Sequence, residues 1–246
     1  MESIQLYLNS NNADKLNNGY TSDCEFVLPV IEIPDGFHIY LSVVKCLIPY
    51  SFYNVNLTNN KLTYSLSTNF YSVVIPTGNY NVSQLISTLL SLLQPNFSIT
   101  YNNINNKFTF THSTYDFTLY SNTTTSTCLS LLGFNSSSAS MNQTLTSTNC
   151  VNVNPVKCIN VVSNLITYNI NKSFVNNQTI LCCIPVNKPP YSIIEYTNQN
   201  NFRSNLFVNT ISMVKLKLVD EINNIIDLNG LHWSITLQID VEPFRD

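Results

Sequence analysis

The stretch that decides the fold is FHIYLSVVKCLI, residues 37–48. From Phe37 to Val43 every second residue is apolar, and the residues between them carry polar groups. An alternation with a period of two is typical of a β-strand that turns one face to a core and the other to solvent. The stretch therefore predicts a half-buried strand over residues 37–48.

Nine further stretches are β-rich or alternate in the same way. The last of them, WSITLQI, puts Trp233 and three aliphatic residues on one face. Two others are separated by NNINN at residues 102–106, and asparagine tolerates the left-handed backbone of a tight hairpin. The nine predicted strands cover residues 24–30, 61–67, 97–101, 107–112, 156–163, 179–186, 192–197, 212–219 and 233–239. Many short strands separated by turn signals indicate a mainly β protein, either a β-sandwich or a jelly roll.

One helix is predicted, in the segment that follows Asn81. The sequence QLISTLLSLL carries leucine and isoleucine at helical spacing, Asn81 or Ser83 can cap its amino end, and Pro95 ends it. We expect this amphipathic helix to be largely buried. A shorter helical turn is predicted over Ser126–Leu132, before Gly133.

The chain has no Gly/Pro-rich linker and no long helical half. We therefore expect one main domain over residues 1–246. The small polar residues of 135–149 (NSSSASMNQTLTSTN) predict a long exposed loop.

The chain is poor in charge. Charged residues make up 10% of its 246 residues, whereas about a quarter is usual, and the net charge is −3. Its polarity comes instead from amides and hydroxyls, including 38 asparagines. The 11 lysines and arginines are scattered, although nucleic-acid binding requires clustered cations. Sequence-specific nucleic-acid binding is therefore not expected, and no apolar run approaches the roughly 20 residues of a membrane span.

Seven cysteines occur without a signal-like amino terminus, which argues against a disulfide framework. We expect buried free thiols, with the neighbours Cys182 and Cys183 on opposite faces of a strand. A cysteine nucleophile would need a histidine base, and none of the three histidines lies in a catalytic signature. His38 and His112 occupy polar positions of predicted strands and are expected to be solvated, whereas His232 precedes Trp233 at the start of the last strand.

The sequence predicts no metal, cofactor or catalytic site. Paired zinc ligands such as Cys-x-x-Cys are absent. The tightest acidic groups are Asp220-Glu221, expected at a solvated turn, and the pair Asp240 and Glu242. The chain has five glycines and no phosphate-binding glycine loop, and Gly36, Gly78 and Gly230 are expected at turns with positive φ.

Three blocks of sequence, in order along the chain, resemble one protein family. The first block holds YLNSNNAD, SDCEFVLPVIEIP and IPYSFYNVN, and the second holds VVIPTGNYNVSQLISTLL, ITYNNINNKFTF and LSLLGF. The third is VKLKLVDEINNIIDLNGLHWSITLQID, which resembles a closing hairpin with an (I/L)-D-x-N-G turn and a final β-strand. These blocks are similar to penton-type minor capsid proteins of virophages, polinton-like viruses and related large DNA viruses.

The resemblance implies a single jelly-roll β-sandwich with an inserted region at about residues 70–150. It implies a non-enzymatic structural protein of the virion, assembled in the host cytoplasm as a homopentamer at the vertices of an icosahedral capsid. Its expected partners are further copies of itself, the double-jelly-roll major capsid protein and other minor capsid proteins. The family offers no catalytic, cofactor or metal residues to transfer.

Three other functions stay open at the level of sequence. A minor cement protein between capsomers can have the same fold and size. A β-sandwich that binds carbohydrate or a receptor could stack sugars on Tyr191, Tyr196 or Trp233, although Trp233 fits core packing better. A hydrolase would need a pocket with convergent polar groups, and no motif indicates one.

Overall fold

The computed structural model describes residues 2–32, 36–121, 126–165, 179–208 and 210–243. The chain divides into two compact units. We call Met1–Phe52 with Val156–Asp246 the jelly-roll unit, and Tyr53–Pro155 the second unit. In chain order, the second unit follows one long strand of the jelly-roll unit and precedes the next.

The structure contains seventeen strands and one α-helix in the described residues. The first four strands are β1 (Glu2–Asn9), β2 (Lys15–Leu16), β3 (Asp23–Glu32) and β4 (Phe37–Pro49). The second unit holds β5 (Lys61–Leu66), β6 (Asn69–Val74), α1 (Val82–Leu92), β7 (Phe97–Asn102), β8 (Lys107–His112), β9 (Phe117–Tyr120), β10 (Ser138–Ala139) and β11 (Thr144–Thr146). The chain ends with β12 (Cys158–Ser163), β13 (Thr179–Pro185), β14 (Ile193–Thr197), β15 (Ser204–Asn205), β16 (Thr210–Val219) and β17 (Ser234–Pro243).

The jelly-roll unit has two antiparallel sheets. The first has the order β1-β17-β4-β14, with the short β15 also paired to β4, and the second has the order β13-β12-β16-β3-β2. If the eight long strands are numbered along the chain, the sheets read 1-8-3-6 and 5-4-7-2. This is the strand order of a jelly roll, so the predicted mainly β, single jelly-roll class is confirmed.

The core of the jelly-roll unit joins the inner faces of both sheets. On β4, Ile39 and Val43 are buried as predicted, whereas Phe37 stays 37% exposed at the strand end. Trp233 is 3% exposed, and its Nε1–H donates to the Thr21 carbonyl at 2.9 Å. The alternation that the sequence shows therefore corresponds to a real inner face.

The second unit has its own aromatic core. One sheet has the order β10-β9-β5-β6 and the other has the order β11-β8-β7. Tyr64, Phe108, Phe110 and Phe134 are fully buried between them. The β7–β8 hairpin forms as predicted at the asparagine connector, where Asn106 adopts φ 54°.

Helix α1 begins with a capping box. The Asn81 side chain accepts from the Gln84 N–H, and the Gln84 side chain accepts from the Asn81 N–H. The expectation that the helix is largely buried is wrong, because only Leu85 and Leu89 within it are buried and Leu90 is 38% exposed. One face packs on the unit while the other meets solvent.

The helical turn predicted over Ser126–Leu132 is present as a single turn that begins at Cys128, in which the Leu132 N–H donates to the Cys128 carbonyl four residues earlier. The Phe134 N–H donates to the Leu129 carbonyl and closes the turn at its carboxyl end. Gly133 has φ +84° there, and an added Cβ would collide with the carbonyl of Asn149. Gly36 and Gly230 have positive φ as predicted, but Gly78 does not, because it pairs in an extended bridge with Val55.

Residues 135–149 are not one long loop. They contain β10 and β11, which pair with β9 and β8, and Ser147 is buried. The Ser147 Oγ accepts from the Phe108 N–H and donates to the Asn149 carbonyl. Small hydroxyl side chains therefore complete two sheet edges here, while most of the segment stays exposed or half-buried.

Candidate functional surfaces

The histidines and cysteines do not assemble into a catalytic pair in the described residues. His38 is exposed on β4, and His232 Nδ1 lies 3.0 Å from the Ser10 hydroxyl. That hydroxyl also accepts from the Trp233 N–H at 3.0 Å, so it closes the start of β17. The structure therefore brings a serine and a histidine together in a structural role.

The prediction that His112 is solvated is wrong. His112 is 2% exposed, and its ring lies edge-on to Phe97 with the centroids 5.0 Å apart. Its Nδ1 accepts from the N–H groups of Thr114 and Tyr115, at 3.2 and 3.0 Å. The imidazole thus caps the turn after β8, and this role depends on contacts that the strand pattern does not reveal.

All seven cysteines are free thiols. Burial raises the pKa of Cys24 and of Cys128 to about 12, and it raises the pKa of Cys46 further. Cys182 faces the core as predicted, but Cys183 is exposed, so the expectation of two buried neighbours is wrong for Cys183. Burial, and secondarily Cys183, raises the pKa of Cys158 to about 12. These shifts oppose thiolate formation, the opposite of what nucleophilic catalysis requires.

The acidic groups hold backbone and ion-pair contacts. Asp220 Oδ1 accepts from the N–H groups of Ile222 and Asn224, which confirms the predicted turn. Glu221 is more than a solvated turn residue, because its Oε1 accepts from the N–H groups of Lys157 and Cys158. In the described part of the chain, no group of three His, Cys, Asp or Glu side chains could hold a metal ion.

Glu242 belongs to a cluster that the sequence pattern does not predict. Arg203 pairs with the Glu242 carboxylate, and its guanidinium lies 4.0 Å above the Tyr40 ring. The carboxylate raises the pKa of Arg203. The cluster holds the segment before β15 against β4 and β17. Its three residues are distant in sequence and meet only in the folded chain.

A ladder of charges covers the outer face of the second jelly-roll sheet. Glu25 Oε1 lies 3.2 Å from Lys215 Nζ and 3.5 Å from Lys15 Nζ, and Asp23 lies 3.2 Å from Lys217. A hydrogen bond from Asn17, followed by one from Lys215, lowers the pKa of Glu25. The ladder lines a groove of about 500 Å³. The charged side chains of this groove pair with one another, which is a structural role.

The aromatic residues considered for sugar stacking are dispersed. Trp233 lies in the core, as expected. Tyr196 lines a groove of about 360 Å³ together with Phe202 and the amides of Asn198–Asn200. Tyr191 is 82% exposed but does not line that groove.

The second unit is almost free of charge. Residues 53–155 contain only three charged side chains: Lys61, Lys107 and Asp116. Several of its large apolar side chains are exposed, including Leu57, Phe70, Val74 and Ile104. The sparse charge of this unit contrasts with the charge ladder of the jelly-roll unit.

Among the described residues, no helix has the length and hydropathy that crossing a membrane requires.

Comparison with known proteins assigns the fold. No family model matches the sequence, and no curated protein matches it. The structure is similar to the mavirus penton protein, with 11% sequence identity and a TM-score of 0.53, over 98% of this chain and 100% of that chain. A chain of the Sputnik virophage, solved by cryo-electron microscopy, also matches, with 15% identity and a TM-score of 0.45, over 97% of this chain and 98% of that one. The resemblance read from the sequence is thus confirmed at the level of fold.

Proposed function

We propose that this chain is the penton subunit of an icosahedral double-stranded DNA virus or virophage, and that it acts as a structural protein without catalysis. One observation carries the proposal. The fold shared with the mavirus penton protein extends over 98% of this chain and all of that one, and so includes both units. A jelly roll alone hosts many functions, but a likeness in the added unit as well is a narrower match.

The second unit is, in this proposal, an insertion into the jelly roll. Its residues, Tyr53–Pro155, lie in the chain between β4 and β12, the third and fourth long strands of the roll. The proposed insertion therefore begins earlier and ends later than the 70–150 that the resemblance implied.

Assembly would proceed by burial of complementary surfaces between identical chains. A fivefold ring needs heterologous contacts, in which one face of a subunit fits a different face of the next. Interface cores are depleted in charge and rich in aromatic residues, and a chain with 10% charged residues and 11% aromatic residues suits this. The double-jelly-roll major capsid protein is the proposed partner of the ring of identical chains.

The thiols support assembly inside the host cytoplasm. All seven cysteines are unpaired, which suits a reducing compartment, where disulfides are rare. The finished particle is the proposed destination of the chain.

The decisive experiment is native mass spectrometry of the full chain, alone and mixed with its major capsid protein, across a range of concentrations. We expect a species of about five times 27.8 kDa in at least one of the two conditions. A chain that remains monomeric in both, or that binds the major capsid protein one to one without forming a ring, would overturn the vertex assignment. The second of these outcomes would favour a cement protein.

A further inference from the structure

Strand β6 forms an open edge of its sheet. It pairs with β5 in an unbroken antiparallel register, from Asn69 opposite Leu66 to Val74 opposite Lys61, and among the described residues it pairs with nothing else. Its sequence, NFYSVV, has no charge, proline or glycine. Phe70 is 70% exposed and Val74 is 55% exposed. A regular edge strand of this kind is a template for pairing with another strand, unless it is protected.

The backbone groups that point outward can be identified from β5. The Lys61 carbonyl accepts from Thr127 and Cys128, and the Thr63 N–H donates to Ser126, so these two residues of β5 turn away from β6. The direction of the backbone hydrogen bonds alternates along a strand. The N–H and C=O groups of Leu62, Tyr64 and Leu66 therefore point toward β6. On β6 itself, the N–H and C=O groups of Phe70, Ser72 and Val74 therefore point to the open side.

We propose that β6 pairs with β6 of a second copy of this chain, in an antiparallel arrangement with Ser72 facing Ser72. In this register Phe70 lies opposite Val74 of the other copy, and all the outward N–H and C=O groups of both strands find partners. On the other face Tyr71 lies opposite Val73. Aromatic residues facing β-branched residues are favourable cross-strand pairs, so the strand is complementary to itself.

The other long edges in the described residues lack this combination. Strand β1 carries the acidic Glu2, and β14 carries Glu195, which is ion-paired with Lys45. Strand β13 carries a bulge at Leu181, opposite the step from Val161 to Val162 of β12, and ends in Pro185. Strand β7 packs beside helix α1. Charges, bulges and covering elements are the usual protections of an edge, and the described part of the chain gives β6 none of them.

The first test compares the Ser72→Lys and Thr118→Lys variants of the full chain. In the proposed pairing, the two lysines at position 72 would face each other across the twofold axis, where like charges are destabilising. Thr118 lies on the outer face of the same sheet but on β9, away from the edge, and so controls for added charge. In sedimentation equilibrium we expect the wild-type mass to double with concentration. Ser72→Lys should stay at half that mass, while Thr118→Lys should behave like wild type.

The second test fixes the register. Residues facing each other in a hydrogen-bonded pair have Cα atoms about 5.5 Å apart, within the range of a disulfide. In a Cys150→Ser/Cys183→Ser background, which removes the exposed thiols, Ser72→Cys should form a covalent dimer on oxidation with molecular oxygen. Thr118→Cys should not.

The pairing is independent of the penton assignment, and the two can fail separately. If both hold, rings of five copies associate further as the concentration rises, and Ser72→Lys stays at five copies. If only the pairing holds, the wild-type chain is a dimer and Ser72→Lys is a monomer. Equal masses for wild type and Ser72→Lys at all concentrations, or no more cross-linking of Ser72→Cys than of Thr118→Cys, would overturn the pairing.

Discussion

At the scale of single residues, buried amide side chains form stabilising polar contacts that charged side chains form in other proteins. Asn54 is 7% exposed, and its Nδ2 donates to the carbonyls of Tyr80 and Val153, at 2.8 and 2.7 Å. Its Oδ1 accepts from the Tyr80 N–H at 2.9 Å. One side chain thereby ties the first residues of the second unit to the last ones, and it is fully satisfied.

The Asn54→Asp change should therefore be costly. It keeps the shape but replaces a double donor with an acceptor that faces two carbonyls, and an unsatisfied buried group costs about 1–3 kcal/mol. Urea unfolding measures the loss. Asn152→Asp, at an exposed position of the same unit, is the control and should change stability by less than about 0.5 kcal/mol. Equal effects of the two changes would contradict this role of Asn54.

The thiols should differ sharply in reactivity. A pKa of about 12 leaves Cys24 and Cys128 protonated at pH 8, and burial also shields them. We expect a disulfide reagent to modify the exposed Cys150 and Cys183 first, and to reach Cys24 and Cys128 only after unfolding. Mass mapping of the modified peptides identifies the sites. Rapid labelling of Cys24 in the native chain would show that the core around β3 opens readily.

At the scale of elements, helix α1 shows how local chemistry sets a boundary. Asn81→Ala removes the acceptor of the Gln84 N–H and should lower stability by about 1 kcal/mol. Asn81→Ser, another good capping residue, should preserve most of that stability. Ser87→Ala, in the exposed middle of the helix, should be neutral or slightly stabilising, because alanine is the better helix former. Thermal unfolding followed by circular dichroism compares the three, and a loss for Ser87→Ala equal to that for Asn81→Ala would argue against the cap.

At the scale of the whole molecule, each unit has a core of its own. We expect residues 53–155 to fold cooperatively when expressed alone, since the Asn54–Val153 bond holds the ends of this unit together. A chain in which a short Gly-Ser linker replaces these residues should keep the jelly roll. Calorimetry of the two fragments should show one unfolding transition each, and a molten second unit would mean that its core depends on the rest of the chain.

The sequence by itself determined what local periodicity can encode. The ten predicted strands all occur, the buried faces of β4 and β17 are the expected ones, and the turn at Asn229 and Gly230 has positive φ at both residues. These features depend on residues a few positions apart. An apolar period of two therefore predicts a strand from local sequence, and a glycine between strands predicts a turn in the same way.

Apart from the β7–β8 hairpin, the tertiary structure alone decided which strands pair, and it also decided which polar groups are buried. β1, β6 and β9 escaped prediction, and so did the burial of His112 and the contact of Arg203 with Tyr40. Most of these depend on partners far away in the chain, such as β17 for β1, β5 for β9 and Tyr40 for Arg203. Strand β6, in contrast, pairs with β5, the strand before it in the chain. The open edge of β6 is likewise a property of strand order, because a strand is an edge only when the folded sheet places nothing beside it.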